Sequence, residues 1–199
     1  NFLYFFGIDK PGLAAAIDIE SGREILFGDE LSMEDIVWTG AMPSLKDLAG
    51  QVGVREALPF RRLLPFVKKA RKDGQAVHFL PPYRHDNMLW LKDALNIAAP
   101  KQKGAASEAF IRAVVAQRAH KTAEEIVEIE RAVNITGAMH VAAMKAAREG
   151  MIEAELAGLV EGIAVGGGGH LSYGIILSVY GQILHKHYHA NTLHKGQMV

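Results

Sequence analysis

Gly166-Gly167-Gly168-Gly169-His170-Leu171-Ser172-Tyr173, then Gly181-Gln182-Ile183-Leu184-His185, then Gly196-Gln197-Met198-Val199, is the stretch on which the reading of this sequence turns. Four consecutive glycines release the backbone from the restrictions a β-carbon imposes, so this run marks a change from one element to another. Behind it, residues 173–180 and 183–189 are rich in β-branched and aromatic side chains and are divided by Gly181-Gln182, which predicts a strand, a turn and a strand. His185, His187 and His189 stand at alternate positions, so a strand would carry three imidazoles on one face, a geometry able to chelate a transition metal. The plainer alternative is that they are exposed polar residues of a hairpin, with His194 on a solvated turn. The glycines invite a phosphate-loop reading, but His170-Leu171-Ser172 supplies no lysine after them, which argues against a nucleotide site.

Upstream of the glycines the period changes to that of helices. Residues 152–164 read as one helix, with Glu153, Glu155 and Glu161 on its polar side, and Gly150 ends the helix before it. That preceding helix is long: Thr122 with Glu125 three residues on forms a capping box, and the pattern runs to about residue 149. Ile126, Ile129, Val133, Thr136 and His140 share one face of it, where His140 reads as a hydrogen-bonded core residue, while Glu124, Glu125 and Glu128 read as a solvated face. Residues 107–117 predict one more helix. Pro100-Lys101-Gln102-Lys103-Gly104 is polar and bounded by Pro and Gly, which suggests a linker over 101–106 between a first domain of residues 1–100 and a second of 107–199.

The first domain reads as a small α/β domain of about a hundred residues. Residues 2–6, 13–19 and 24–27 are strand-like and separated by Asp9-Lys10-Pro11-Gly12 and Glu20-Ser21-Gly22-Arg23, so three short antiparallel strands are expected. Ser44 is a good N-cap for a helix, Phe60, Leu63, Leu64 and Val67 fall at helical spacing before Gly74, residues 76–80 suggest a buried strand ended by Pro81-Pro82, and residues 88–95 a short helix. The fold class expected for the whole is mixed α/β, of the α+β kind.

Composition narrows the function. The chain has 199 residues, 49% hydrophobic and 22% charged, with 22 Lys plus Arg against 22 Asp plus Glu, so no net field recruits nucleic acid or an anionic membrane. It holds no cysteine, which excludes disulfides, thiolate metal sites and a Cys nucleophile, and is compatible with a cytoplasmic setting. The apolar start, Asn1-Phe2-Leu3-Tyr4-Phe5-Phe6-Gly7, is far shorter than the ~18 residues a membrane span needs and lacks a basic leader. Both ends read as cuts within a longer protein.

Three segments, in order and at matching distances, resemble the Xaa-Pro aminopeptidases of the creatinase/prolidase "pita-bread" family. Phe2-Leu3-Tyr4-Phe5-Phe6-Gly7-Ile8-Asp9-Lys10-Pro11, followed by Ile36-Val37-Trp38-Thr39-Gly40, is similar to the family's N-terminal creatinase-like domain. Arg118-Ala119-His120-Lys121-Thr122 with Glu125-Ile126 and Ala132 resembles the opening of its catalytic domain. The glycine-rich stretch with Leu184-His185 and the closing Gly196-Gln197-Met198-Val199 is the most specific of the three, and departs from the family pattern at Gly174, where many relatives have Pro.

The resemblance implies an enzyme that removes the N-terminal residue from peptides with proline in the second position, using two divalent metal ions, manganese in the usual case, to activate a bridging water. It implies that the five metal ligands follow Val199, so that residues 1–199 hold no metal and are inactive by themselves. By the same resemblance His185 is catalytic and substrate-binding, contacting the substrate and stabilising the oxyanion as the carbonyl is attacked. The glycine run becomes a flexible wall of the substrate cleft. Trp38 becomes a substrate-binding residue that lines the pocket of a neighbouring protomer in a dimer or tetramer, or else packs between domains. A prolidase acting on dipeptides and a non-catalytic binding protein on the same scaffold remain open alternatives.

Overall fold

The computed structural model describes residues 1–199, which divide into two compact units, Asn1–Gln117 and Arg118–Val199. No helix is long and apolar enough to cross a membrane.

In the first unit a mixed three-stranded sheet is ordered β1-β2-β3. Strand β1 (Ala14–Asp18) pairs antiparallel with β2 (Arg23–Gly28) across the turn foreseen at residues 20–23, where the Asp18 carboxylate accepts from the Glu20 and Ser21 amides and the Ser21 hydroxyl. The third strand is not residues 2–6 but β3 (Glu56–Pro59), and it lies parallel to β2. Being central, β2 has both faces covered. Leu26 packs with Ile8, Leu45, Leu48, Ala49 and Val54 on one side, and Ile25 and Phe27 with Leu63, Val67, Ala94 and Leu95 on the other.

Residues 2–6 form a helix, α1 (Phe2–Phe6), rather than the expected strand. Gly7 closes it in the left-handed conformation at φ 66°, its amide bonding Leu3 O, and Phe2 and Phe6, one turn apart, stack at 5.1 Å while packing on the core around Leu26. Helices α2 (Met33–Thr39) and α3 (Leu45–Gln51) start at Ser32 and Ser44, whose hydroxyls accept from the third helical amide while Asp35 and Asp47 reach back. Then come a 3₁₀ turn (Phe60–Arg62), α4 (Leu63–Lys72) and α5 (His85–Leu95).

Two further expectations are corrected here. Residues 76–80 form no strand: Val77 and Phe79 pack against the Phe27 core, but no neighbouring strand offers a ladder. The stretch expected as a linker is largely helical, α6 (Ala99–Ala105), opened by Pro100 in its first turn. Gln102 is wholly buried and its amide nitrogen donates to Met88 O at 2.7 Å and Ile97 O at 2.9 Å, which ties α6 to α5. Helix α7 (Glu108–Ala119) follows.

The second unit is built on α8 (Ala123–Ala146), capped by Thr122 and Glu125 as foreseen, and α9 (Glu153–Gly166). The face of α8 turned inward is not the expected one. Ile135, Met139, Ala142, Ala143 and Ala146 are its half-buried apolar residues, while Ile126, Ile129, Val133, Thr136 and His140 stand exposed on the opposite side. Nine residues, as from Ile126 to Ile135, are half a turn out of phase at 3.6 per turn, so α8 is apolar on two faces and only one is used here. His140 is therefore a surface residue.

The tail is not β-rich. Residues 173–189 form no ladder, and the single bridge pairs Ile152 with Thr192. Gly166 and Gly167 belong to the end of α9 rather than to a free loop; Gly167 caps it, its amide bonding Ile163 O and Ala164 O.

Candidate functional site

In the second unit, residues 177–193 fold back on the start of α9. Gly150 N donates to Leu193 O at 2.9 Å, and Leu193 N to Met151 O at 2.8 Å. Glu153 N donates to Asn191 O at 3.0 Å and Ala154 N to His189 O at 2.9 Å. The first amides of a helix have no partner within it, so here the returning chain supplies the missing acceptors. Met151, Leu156 and Leu193 are buried beneath, with Leu177 and Val179 packed on them.

Glu153, expected on the polar side of the helix, is wholly buried. One carboxylate oxygen accepts from Val179 N at 2.8 Å; the other accepts from the Asn191 side-chain amide at 2.8 Å and from Asn191 N at 3.3 Å. Burial pushes this carboxyl up, but the bonds from Val179, Asn191 and Ser178 outweigh it and leave the group below the ordinary carboxylate value. Sequence reasoning missed Glu153 because an acidic residue in a first helical turn already has a local explanation in the helix dipole. The available signal was redundancy: Glu155 accepts from Ile152 N at 2.8 Å, so the start of α9 carries a second acidic residue beyond the one that caps it.

His185 lies exposed on the loop between Val179 and Asn191, next to Leu184, which is 75% exposed. The three alternate histidines do not act together. His187 sits beside Gly174, where an added β-carbon would come within 3.2 Å of its Nδ1, so the glycine that departs from the family pattern admits this ring. His189 is half-buried with Nε2 3.1 Å from Ile175 O. No three His, Asp or Glu side chains in residues 1–199 converge in a way that could hold a metal ion; the donor set present does not fit a dinuclear centre.

Trp38 belongs to the first unit, on α2, and is 81% exposed, with Met33 and Val37 exposed on the same short helix. A large aromatic left this open presents apolar area that another surface could cover.

Residues 1–79 match the aminopeptidase P N-terminal domain, and residues 127–199 match metallopeptidase family M24. A probable Xaa-Pro aminopeptidase of Leptosphaeria maculans is 24% identical over 156 residues, which is 78% of this chain and 26% of that protein. Among solved structures, Pseudomonas aeruginosa aminopeptidase PepP superimposes with a TM-score of 0.80 at 22% identity, over 98% of this chain and 47% of that one. Zinc-substituted Escherichia coli aminopeptidase P in complex with product gives 0.77 at 23%, over the same shares. The chain thus spans about a quarter of the curated relative and about half of the solved structures it matches.

Proposed function

We propose that the chain belongs to the aminopeptidase P proteins of metallopeptidase family M24 and that the full-length protein releases the N-terminal residue from peptides with proline in the second position. The observation that carries this reading is the succession, in one chain, of an aminopeptidase P N-terminal domain and an M24 segment. The parent family is enzymatic, and its name implies divalent metal ions; manganese is our choice among them. On this reading the metal ligands lie outside residues 1–199, and the part of these residues is substrate handling.

A peptide bond to proline lacks an N–H and fixes φ, so a cleft built for ordinary peptides fits it poorly and a dedicated one is needed. His185, exposed at the loop tip, donates a hydrogen bond to the scissile carbonyl oxygen as negative charge develops there. Trp38 closes over the cleft of a neighbouring protomer in a homo-oligomer, which accounts for its exposure. A cytoplasmic setting completes the proposal.

Three single variants of the full-length protein test the assignment. His185→Ala should lower turnover by roughly 10²–10³ fold with much less effect on substrate binding, whereas His187→Ala should do far less. Equal loss of bound metal in His185→Ala, His187→Ala and His189→Ala would replace this reading with a histidine metal site.

A further inference from the structure

The loop that carries His185 has two stems, around Val179 and Asn191, and no backbone hydrogen bond joins one stem to the other. A hairpin would normally be closed by such bonds. Two side chains stand in their place: His189, whose Nε2 lies 3.1 Å from Ile175 O, and Glu153. Glu153 takes the Val179 amide on Oε1 and both nitrogens of Asn191 on Oε2, so donors from both stems converge on a single buried carboxylate held by the first turn of α9.

We propose that Glu153 is a positioning residue, whose buried carboxylate closes the base of the 179–191 loop and so fixes the direction in which its tip presents His185. The chemistry favours a carboxylate over any other filler of that space. An apolar residue would leave the Val179 and Asn191 amides without acceptors, and a glutamine would turn one amino group toward donors. Charge-assisted bonds are also the stronger kind, which suits a loop whose outer residues contribute nothing to the core. Above the clamp the returning arm is tied at His189, whose carbonyl accepts from Ala154 N at 2.9 Å and whose Nε2 lies 3.1 Å from Ile175 O, while the tip itself carries surface contacts: the Lys186 ammonium 4.3 Å from the Tyr180 ring centroid, and Ile183 N bonded to Tyr180 O at 2.9 Å. Orientation of the tip is therefore set at its base.

The clamp itself rests on geometry alone; its consequence for turnover rests on the role proposed for His185. Both are read in the full-length protein carrying Glu153→Gln. Amide exchange at Val179 and Asn191 should accelerate by about 10- to 100-fold, the loss expected when a charge-assisted bond goes. Turnover on a proline-second peptide should fall by about 10-fold with KM nearly unchanged, and should fall no further when the same change is made in His185→Ala. Unchanged exchange at both amides would overturn the clamp. An equal drop with and without His185 would overturn the positioning role and leave a merely structural one. If His185→Ala alone has no effect on turnover, the proposed role of His185 fails and exchange alone decides the clamp. Should Glu153→Gln not fold, Asn191→Ala, which keeps the carboxylate and its bonds to the backbone, is expected to show the same coupling to His185 with a smaller loss.

Discussion

A β-carbon added to Gly167 would stand 2.7 Å from Cδ1 of Ile135 and within 3.1 Å of Cγ1 and Cγ2 of the same side chain. The end of α9 and the middle of α8 thus approach more closely than any residue but glycine permits. Gly167 has φ −75°, so the requirement is space and not backbone conformation.

Gly167→Ala should accordingly destabilise the second unit by about 1–3 kcal/mol, the usual cost of overpacking. Gly162→Ala, in the same helix but with nothing within 4 Å of the added carbon, should stabilise by about 0.5–1 kcal/mol, because alanine loses less entropy in a helix. Denaturant titration of both variants checks this, and a neutral Gly167→Ala would mean the two helices can separate without cost.

The two-faced α8 supplies the second prediction. In residues 1–199, Val133→Asp on the exposed face should change stability by no more than about 0.5 kcal/mol, whereas Ile135→Asp on the α9 side should cost about 2 kcal/mol or more. Similar losses from both would show that the outward face is covered in solution.

That face also marks the limit of what the sequence could disclose. The N-cap at Ser44, the capping box at Thr122, the turn at residues 20–23 and a short helix over residues 88–95, which the structure extends to His85–Leu95, were legible because each depends on residues a few positions apart. Periodicity also found α8, but two apolar stripes half a turn apart gave no way to choose between them. Residues 76–80 and 173–189 have strand composition, yet a strand exists only where a partner supplies the ladder, and a sequence window does not contain the partner. Conversely β3, four residues ending in Pro59, was too short to read, and forms because β2 offers it a parallel edge. Phe2–Phe6 looked like an aromatic strand; Gly7 in the left-handed region and the core beneath Phe2 and Phe6 make it a helix. His185 is singled out by likeness to a family motif alone, while Glu153 was invisible because its partners lie 26 and 38 residues away.

The parallel pairing of β2 with β3 is bridged at its edge by Arg23 and Glu56, joined through two bonds of 2.7 Å. The hydrogen bond from Arg23, more than its charge, holds the Glu56 carboxyl below its ordinary value. A carboxyl lowered by folding contributes stability that is present above its unfolded value, about 4.3, and lost as pH falls through the lowered one. Glu56→Gln should therefore be less stable than the parent at neutral pH, with the gap closing below about pH 4. A gap that stays constant into acid would show that the pair contributes only packing.

Limited trypsin digestion separates a helical α6 from a linker. Lys101 and Lys103 lie in α6, anchored by buried Gln102, while His120 and Lys121 lie exposed between α7 and α8. Early cleavage after Arg118 or Lys121 is expected. First cleavage after Lys101 or Lys103 would return the boundary to residues 101–106.

The most direct test of the proposed activity is release of the first amino acid from two tripeptides, one with proline and one with alanine in the second position, by the full-length protein with added Mn²⁺. The account predicts cleavage of the first bond of the proline peptide at a rate higher by about two orders of magnitude or more, and none from residues 1–199 alone. Equal cleavage of both peptides, or cleavage of neither, would contradict it.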